Sequence, residues 1–388
     1  MKFLRDFNLK DKKVLVRVDF NVPLGDDLEV DSSEDWRIEA TLPSIKYLLD
    51  QGAKIILLTH LGRPNGQVVE NLRLDPVAKR LEELLDRKII KLDNCCGQEV
   101  EDRVSQIKAG EIILLENLRF YPEEKNNDNK FAKQLASYGE IYVNDAFGVA
   151  HRAHASLVGI PKYLPSCAGL LLEKEMTVLS NVLDKPKRPL TAIIGGVKIS
   201  TKIKVIKRFL KEADDVLLGG ALANTVLAAK GIAVGRSLIE EGMVEETQKL
   251  ELTDIKLHLP VDAIASADPS GKRDSRIAPI SNTNEKEMIL DIGPDTNELF
   301  KLIISQSKTI IWNGPMGLIE VDKFVQGSKK IAQAVADNDG YSVVGGGDSI
   351  VLIEKMGLFD KIDHISTGGG SMLQFLAGDK LPGIEALK

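Results

Sequence analysis

The sequence predicts an α/β protein built from two doubly wound parallel-sheet lobes joined by a hinge helix. Apolar runs of strand length recur along the chain, and segments with helical spacing lie between them. The runs form two series, one before residue 155 and one after residue 190. Since buried parallel strands read as continuous apolar runs and alternate with crossover helices, each series predicts one Rossmann-like sheet.

The first series consists of VLVRVDF near residue 14, KIILLTH near 54, EIILLEN near 111 and EIYVNDA near 140. A helix is predicted over residues 75–87. The second series consists of LTAIIGG near 190, DVLLGG near 215, LPVDAIAS near 259, TIIWNGP near 309, YSVVGGGD near 341 and HISTGGG near 364. A helix is predicted over residues 198–211, and all six runs are expected in one parallel sheet.

The segment between the two series predicts a hinge. Residues 168–183, AGLLLEKEMTVLSNVL, have helical spacing, and the proline-containing stretch DKPKRP at 184–189 ends the pattern. We therefore expect a first domain over residues 1–168, an interdomain helix and hinge over 169–186, and a second domain over 187–373.

The composition excludes several classes of protein. The net charge of -6 gives no general attraction for polyanions, so nucleic acid is not an expected partner. The chain has no run of 18 apolar residues and no apolar leader segment, so we expect a cytoplasmic protein without a membrane partner. Its three cysteines form no C-x-x-C pair, and Cys95 and Cys96 are predicted to be ordinary buried or half-buried thiols.

Basic side chains follow the strands of the first series. Planar guanidinium groups bind carboxylate and phosphate oxygens two at a time, so four of them at strand ends predict a site for a small phosphorylated acid. Alternatively, these arginines pair with acidic residues on the surface. The candidate acid-binding residues are Asp19, Phe20, Asn21, Arg37, His60, Leu61, Gly62, Arg63, Arg119 and Arg152.

Glycine-rich tips follow the strands of the second series and predict a phosphate or nucleotide site, because glycine lets backbone N–H groups approach an anion. Neither a P-loop nor a G-x-G-x-x-G pattern is present. Tight structural turns are the alternative reading of such glycines. Asp348 is the candidate Mg²⁺ ligand. The candidate nucleotide-binding residues are Gly195, Lys198, Lys202, Gly219, Asn313, Glu320, Gly345, Gly346, Gly347, Asp348 and Ser349.

The motifs RVDFNVP, RIEATLPSI, HLGRP, LLENLRF, VNDAFGVAHRAHAS, GGVKISTKI, WNGPMG, GGGD and STGGG occur in this order, and together they resemble phosphoglycerate kinase. The resemblance implies reversible, Mg²⁺-dependent phosphoryl transfer between 1,3-bisphosphoglycerate with ADP and 3-phosphoglycerate with ATP. It further implies a monomer whose C-terminal tail, residues 374–388, packs back on the first domain.

The resemblance also implies roles for individual residues. Arg37 and Lys198 would act catalytically on the transferred phosphoryl group, with N–H groups of Gly368, Gly369 and Gly370 as further donors. This chain departs from the family pattern at several positions, namely Trp36, Ala221, Ile319, Ser371 and Met372. Two alternatives remain open, a non-catalytic nucleotide-binding regulator and a kinase for another small carboxylic acid.

Overall fold

The computed structural model describes all residues, Met1–Lys388, and they form two compact units. The first unit comprises Met1–Thr177 and Asp379–Lys388, and the second comprises Val178–Gly378. None of the helices combines the length and the apolar composition that a membrane-spanning segment needs. Cys95 is buried and Cys96 is half-buried, as predicted for these two thiols, and Cys167 is also buried.

The first unit contains a six-stranded, fully parallel sheet in the order β3-β4-β2-β1-β5-β6. Four strands correspond to the four predicted apolar runs, and the two short outer strands β3 and β6 were not predicted. Val14, Val16, Ile55 and Leu57 of the central strands lie in the hydrophobic core. The strands are β1 (Lys13–Arg17), β2 (Lys54–Leu58), β3 (Ile89–Lys91), β4 (Ile112–Leu114), β5 (Ile141–Asn144) and β6 (Ser166–Ala168).

The second unit contains a six-stranded parallel sheet, in the order β15-β14-β13-β7-β8-β9, and a three-stranded antiparallel sheet, in the order β11-β10-β12. The α/β fold with two parallel sheets is thus confirmed. The strands are β7 (Leu190–Ile194), β8 (Asp215–Leu218), β9 (Leu257–His258), β10 (Asp262–Ser266), β11 (Arg276–Pro279), β12 (Met288–Ile292), β13 (Thr309–Asn313), β14 (Tyr341–Gly345) and β15 (His364–Ser366).

The apolar run near residue 259 was wrongly predicted as a single parallel strand. The chain breaks at Pro260, which lacks the N–H group that a continued strand would need. Before the break, Leu257–His258 pairs with β8 in the parallel sheet. After it, Asp262–Ser266 becomes the central strand of the antiparallel sheet, where Ala263 packs in a separate small apolar cluster.

Helices cover the sheets, and their bounds differ from the predictions mainly at the ends. The helix predicted over 75–87 ends at Leu85, because Asp86 adopts the left-handed conformation with φ of 47°. The helices are α1 (Trp36–Asp50), α2 (Asp75–Leu85), α3 (Gln98–Ser105), α4 (Pro122–Lys125), α5 (Asn129–Ala136), α6 (Leu170–Asp184), α7 (Ile203–Glu212), α8 (Gly220–Ala229), α9 (Val244–Gln248), α10 (Pro294–Gln306), α11 (Gln326–Ala336), α12 (Gly347–Lys355), α13 (Gly369–Leu376) and α14 (Pro382–Glu385).

The helix predicted over 198–211 begins five residues late. Residues Ile199–Thr201 form a short 3-10 turn, and the α-helix starts at Ile203. The side chain of Glu240 holds this turn, since its carboxylate accepts hydrogen bonds from the N–H and hydroxyl groups of Ser200 at 3.0 and 2.5 Å. Lys198 therefore lies ahead of the helix rather than on its first turn.

Helix α6, in the region predicted as the hinge, begins beside a buried carboxylate. The Oδ1 atom of Asp145 accepts hydrogen bonds from the N–H groups of Leu171 and Leu172 at 2.9 and 3.1 Å, which satisfies two donors of the first turn. Near the C-terminus, Gly383 donates to the carbonyl of Ala150 at 2.8 Å and accepts from Asn144 at 3.0 Å. These bonds attach α14 to the strand ends of the first unit.

Candidate functional site

The carboxyl ends of β1, β2, β4 and β5 are neighbours at one edge of the first sheet, and asparagine side chains connect the loops that follow them. Asn21 accepts a hydrogen bond from the N–H group of Gly62 at 2.8 Å. Asn117 accepts from Leu61 at 3.2 Å and from Arg119 at 3.0 Å. These bonds fix the loops that carry the predicted arginines.

Three of the four predicted arginines line one cleft, together with Asn65 and Lys125. Arg63, Arg119 and Arg152 form no ion pair with a carboxylate, so the alternative of surface ion pairs does not describe them. Burial and the neighbouring charge of Arg152 lower the pKa of Arg119 to about 10. Burial and the charge of Arg63 lower the pKa of Arg152. The guanidinium groups thus repel one another, and an anion in the cleft would relieve that repulsion.

Arg37 lies in the first turn of α1 and has protein partners. Its Nη1 atom is 3.5 Å from Oδ2 of Asp19 and donates to the carbonyl of Asn21 at 3.2 Å. The guanidinium carbon lies 5.1 Å from the ring centre of Trp36, a cation–π contact. Oδ1 of Asp19 is buried and has no hydrogen-bond partner within the protein, which is unusual for a buried carboxylate oxygen.

The histidines around this cleft are neutral at pH 7. Burial, reinforced by Arg17, holds the pKa of His60 well below its usual value. Burial and neighbouring arginines lower the pKa of His151 to about 4 and that of His154 to about 3. The 3.7 Å approach of His60 to Asp19 is therefore not an ion pair.

Two other predicted acid-binding residues lie in the core. Phe20 is fully buried and Leu61 is 2% exposed, and both pack in the hydrophobic cluster of the sheet. The N–H group of Phe20 donates to the hydroxyl of Thr59 at 2.9 Å. Their side chains therefore pack in the core beneath the loops and are not placed to contact a ligand.

The glycine tips of the second unit pack backbone against backbone. Gly196 donates to the carbonyl of Pro315 at 2.7 Å, and Gly220 donates to that of Met316 at 2.9 Å. A Cβ atom on Gly195 would lie 2.6 Å from the carbonyl oxygen of Gly314 and closer still to that of Pro315. The ends of β7, β8 and β13 can approach this closely because side chains are absent.

The two predicted lysines have different environments. Lys202 is 8% exposed, and its Nζ atom donates to the carbonyls of Gly195 at 2.6 Å and Asn313 at 3.2 Å. Burial lowers the pKa of Lys202 to about 8, although the charge of Asp348 acts in the opposite direction. Lys198 is exposed, and its charge acts on the neighbouring carboxylate of Glu240.

A largely apolar pocket lies beside the glycine tips. Its polar lining residues include Glu320 and Asp348. Ala221 and Ile319, two positions where the chain departs from the family pattern, also line it. Further apolar lining comes from Leu238, Met288, Leu290 and Met316. Sequence reasoning missed these last four residues, because apolar residues on distant elements carry no local signal that they will share a pocket.

The remaining glycine tips lie next to each other. Gly346, with φ of 98°, follows β14, and a Cβ atom on Gly369 would lie 3.6 Å from its Cα atom. Ser349 is buried and accepts a hydrogen bond from Gly314 at 3.0 Å, so its role is to hold the loop after β13. Asn313 is 4% exposed, and its Nδ2 atom has no hydrogen-bond partner.

The side chains of the second unit suit Mg²⁺ only if substrate phosphates and water supply most of its ligands. No group of three or more histidine, cysteine, aspartate or glutamate side chains is placed to hold a metal. Asp348 lies exposed in the first turn of α12 and offers one carboxylate. Mg²⁺ is commonly bound by one or two carboxylates together with substrate phosphates and water, and a single carboxylate suits that arrangement.

Sequence reasoning also missed Arg17, a fifth arginine below the cleft. This residue is 1% exposed and lies in β1. The signal was an arginine inside the otherwise apolar run VLVRVDF. A charged residue in a buried strand requires hydrogen-bond partners. One partner of the Arg17 guanidinium is Nδ1 of His60, at 3.2 Å.

Comparison with known proteins agrees with the resemblance. The family model of phosphoglycerate kinase matches residues 4–379. Phosphoglycerate kinase of Moorella thermoacetica is 49% identical over 388 residues, and that of Dictyoglomus turgidum is 49% identical over 390, each match covering 99% of this chain and 98% of the relative. The solved phosphoglycerate kinase of Coxiella burnetii has a TM-score of 0.85 at 37% identity. That of Pyrococcus horikoshii OT3 has a TM-score of 0.87 at 35% identity. Each match covers 100% of this chain and 98% of the solved chain. The chain therefore belongs to the phosphoglycerate kinase family and is a phosphotransferase.

Proposed function

We propose that the chain catalyses reversible phosphoryl transfer between 1,3-bisphosphoglycerate with ADP and 3-phosphoglycerate with ATP, as a cytoplasmic, Mg²⁺-dependent, monomeric enzyme of glycolysis and gluconeogenesis. The observation that carries this proposal is the cleft of Arg63, Arg119 and Arg152, whose charges have no carboxylate partners. A binding protein for nucleotide alone has no use for such a group, in which Arg119 is buried, Arg152 is half-buried and Arg63 is exposed. Family membership supports the same conclusion.

The first unit is proposed to bind the acid. The phosphate of 3-phosphoglycerate would occupy the arginine cleft, because guanidinium forks match phosphate oxygens. The unpartnered Oδ1 atom of Asp19 would accept a hydrogen bond from the hydroxyl group of the acid. Arg37, held by Asp19 and Asn21, would then lie near the reacting carboxylate.

The second unit is proposed to bind the nucleotide. The base would enter the apolar pocket, and Glu320 would accept from a ribose hydroxyl. Lys202 and the N–H groups of the glycine tips would bind the phosphates, as commonly occurs where glycine loops precede helices. Asp348 would hold Mg²⁺ together with phosphate oxygens, and the bound ion would supply neutralisation of nucleotide charge.

The proposed chemistry needs no general base. The attacking carboxylate has an ordinary pKa of about 4 and is already ionised at pH 7, so catalysis reduces to positioning and charge compensation. Arg37 and Lys198 would compensate charge on the transferred phosphoryl group, with N–H groups of residues 368–370 as further donors. Because acid and nucleotide bind to different units, we also propose that residues 169–186 act as the hinge that brings the two ligands together.

Phosphoryl transfer from Mg·ATP to 3-phosphoglycerate, with the acyl phosphate trapped by hydroxylamine, tests this function directly. We expect acyl phosphate with 3-phosphoglycerate and little with glycerate, since glycerate lacks the phosphate that the arginine cleft would bind. Equal rates with both acids would instead indicate a kinase for another carboxylic acid. ATP binding without any product, across a panel of small acids, would indicate a regulator.

The pKa of Lys202 predicts how nucleotide affinity depends on pH. Its amine is charged below about pH 8 and becomes neutral as the pH rises through that value, so the attraction for nucleotide phosphates is lost at higher pH. We expect KM for Mg·ATP to rise between pH 8 and pH 9.5 by about tenfold, the change that loss of one charged hydrogen bond produces. Lys202→Met should show a high KM that hardly changes over this range. An equal rise in both proteins would assign the pH dependence to another group.

A further inference from the structure

Arg17 is a buried cation that contacts no carboxylate directly, and the nearby buried carboxylate of Glu124 is reached only through Ser156. Its side chain forms no ion pair, and its hydrogen bonds are to neutral groups of the first unit. The Nε atom donates to the hydroxyl of Ser156 at 2.9 Å, and Nη1 donates to the carbonyl of Val18. The Nη2 atom lies 3.2 Å from Nδ1 of His60. Burying a guanidinium costs desolvation free energy, and these hydrogen bonds offset part of that cost and hold the group in one orientation.

The orientation of Arg17 is fixed from behind by Ser156 and Glu124. The hydroxyl of Ser156 donates to Oε1 of Glu124 at 2.6 Å, and its N–H group donates to Oε2 at 2.9 Å. With its own proton engaged by Glu124, the Ser156 oxygen presents a lone pair to Nε of Arg17. Glu124 is 1% exposed, so this network is shielded from water.

The contact with Arg17 decides which nitrogen of His60 carries the proton. A guanidinium N–H can only donate, so Nδ1 of His60 must be the acceptor in this bond. Oδ1 of Asp19 is 3.7 Å from the same nitrogen, too far to accept a hydrogen bond from it. Since His60 is neutral at pH 7, its single proton lies on Nε2, the ring nitrogen that is not engaged by Arg17.

We propose that Arg17 is a positioning residue that fixes His60 in its Nε2–H tautomer, so that the imidazole presents a hydrogen-bond donor to an anionic ligand in the arginine cleft. Without Arg17, the neutral ring can carry its proton on Nδ1 and turn a lone pair towards the anion, which is repulsive. This inference rests on the proposed function because it places His60 in the acid-binding half. Arg17 itself need not touch the substrate.

Long-range ¹H–¹⁵N correlation spectra of histidine-labelled protein test the tautomer without any activity measurement. The chain has five histidines, so a His60→Asn variant suffices to identify the signals of His60. We expect the wild type to show a protonated Nε2 and an unprotonated Nδ1 from pH 6 to pH 8. A protonated Nδ1, or an average of the two tautomers, would overturn the proposal even if phosphoryl transfer is observed.

An Arg17→Met variant tests the link between tautomer and binding. We expect the second tautomer to appear and KM for 3-phosphoglycerate to rise about tenfold, the loss of one hydrogen bond to a charged ligand, with KM for Mg·ATP unchanged. Arg103→Met is the matched control, because Arg103 pairs with Glu111 at 3.2 Å in the same unit and forms no contact with His60. It should alter neither the spectrum nor KM.

If KM rises in Arg17→Met while the Nε2–H tautomer persists, Arg17 acts through its charge alone and the proposal is wrong. If this variant does not fold, the spectrum of the wild type still decides the tautomer. Failure of the proposed function is a separate result: the expected tautomer would be present, but no acyl phosphate would form from 3-phosphoglycerate.

Discussion

Replacing Lys198 by alanine is expected to lower kcat by about 10² or more, with a smaller effect on KM, because one preorganised charge near the transferred group is commonly worth that much. Lys198 is exposed and its charge acts only on the neighbouring carboxylate of Glu240, so little folded-state stabilisation is lost with it. We therefore expect the melting temperature to stay within about 1 °C, as for most exposed substitutions. Steady-state kinetics in both directions and calorimetry measure these quantities.

Lys211→Ala is a suitable control for Lys198→Ala. Lys211 is an exposed lysine in the last turn of α7, so its removal changes the net charge equally. Wild-type kcat in Lys211→Ala and a large loss in Lys198→Ala would locate the effect at the site. If Lys198→Ala retained wild-type turnover, or if KM for ATP alone changed, the amine would bind ground-state nucleotide and would not act on the transferred group.

The parallel sheets could be predicted from sequence because their strands are buried on both faces and read as apolar runs. The same rule predicts which loops lie together, because all strands of a parallel sheet have their carboxyl ends at one edge. Arg63 and Arg119 follow two neighbouring strands at that edge. Strands β3 and β6 have the sequences IIK and SCA, which do not form an apolar run, whereas the equally short β4 lies inside the run IILL. The run around Pro260 is divided because proline cannot donate to a strand partner, a signal that its apolar composition conceals.

Tertiary environment could not be predicted for individual charged residues. Lys198 and Lys202 are four residues apart and looked equivalent as residues of one helix turn. In the fold one amine is exposed and the other is buried between backbone carbonyls, which lowers its pKa to about 8. The burial of Lys202 depends on Asn313, more than a hundred residues away, and local spacing contains no information about such a partner.

Gly195→Ala is expected to disrupt the second unit at the point where the ends of β7 and β13 meet. The added methyl group would lie 2.6 Å from the carbonyl oxygen of Gly314 and closer still to that of Pro315, and backbone at a sheet end cannot easily move away. The backbone conformation of Gly195 is not the left-handed one, so the effect is steric. Overpacking of this kind commonly costs about 1–3 kcal/mol of unfolding free energy.

The same substitution should weaken nucleotide binding more than acid binding. The carbonyl of Gly195 accepts the 2.6 Å hydrogen bond from Lys202, so a displaced tip would also move the buried amine. We expect KM for Mg·ATP to rise at least about tenfold, as when a charged hydrogen bond is lost, and KM for 3-phosphoglycerate to stay within about twofold. Kinetics for each substrate and urea unfolding measure the two effects.

Gly242→Ala separates steric contact from the general effect of replacing glycine. No atom lies within 4 Å of a Cβ atom at Gly242, and its backbone is not in the left-handed region, so alanine should change stability by less than about 0.5 kcal/mol. If Gly195→Ala were equally harmless, the loops after β7 and β13 would have to separate without cost. The loops after β7 and β13 would then be able to move apart easily. The close packing of Gly195 against Pro315 would not be needed to position Lys202.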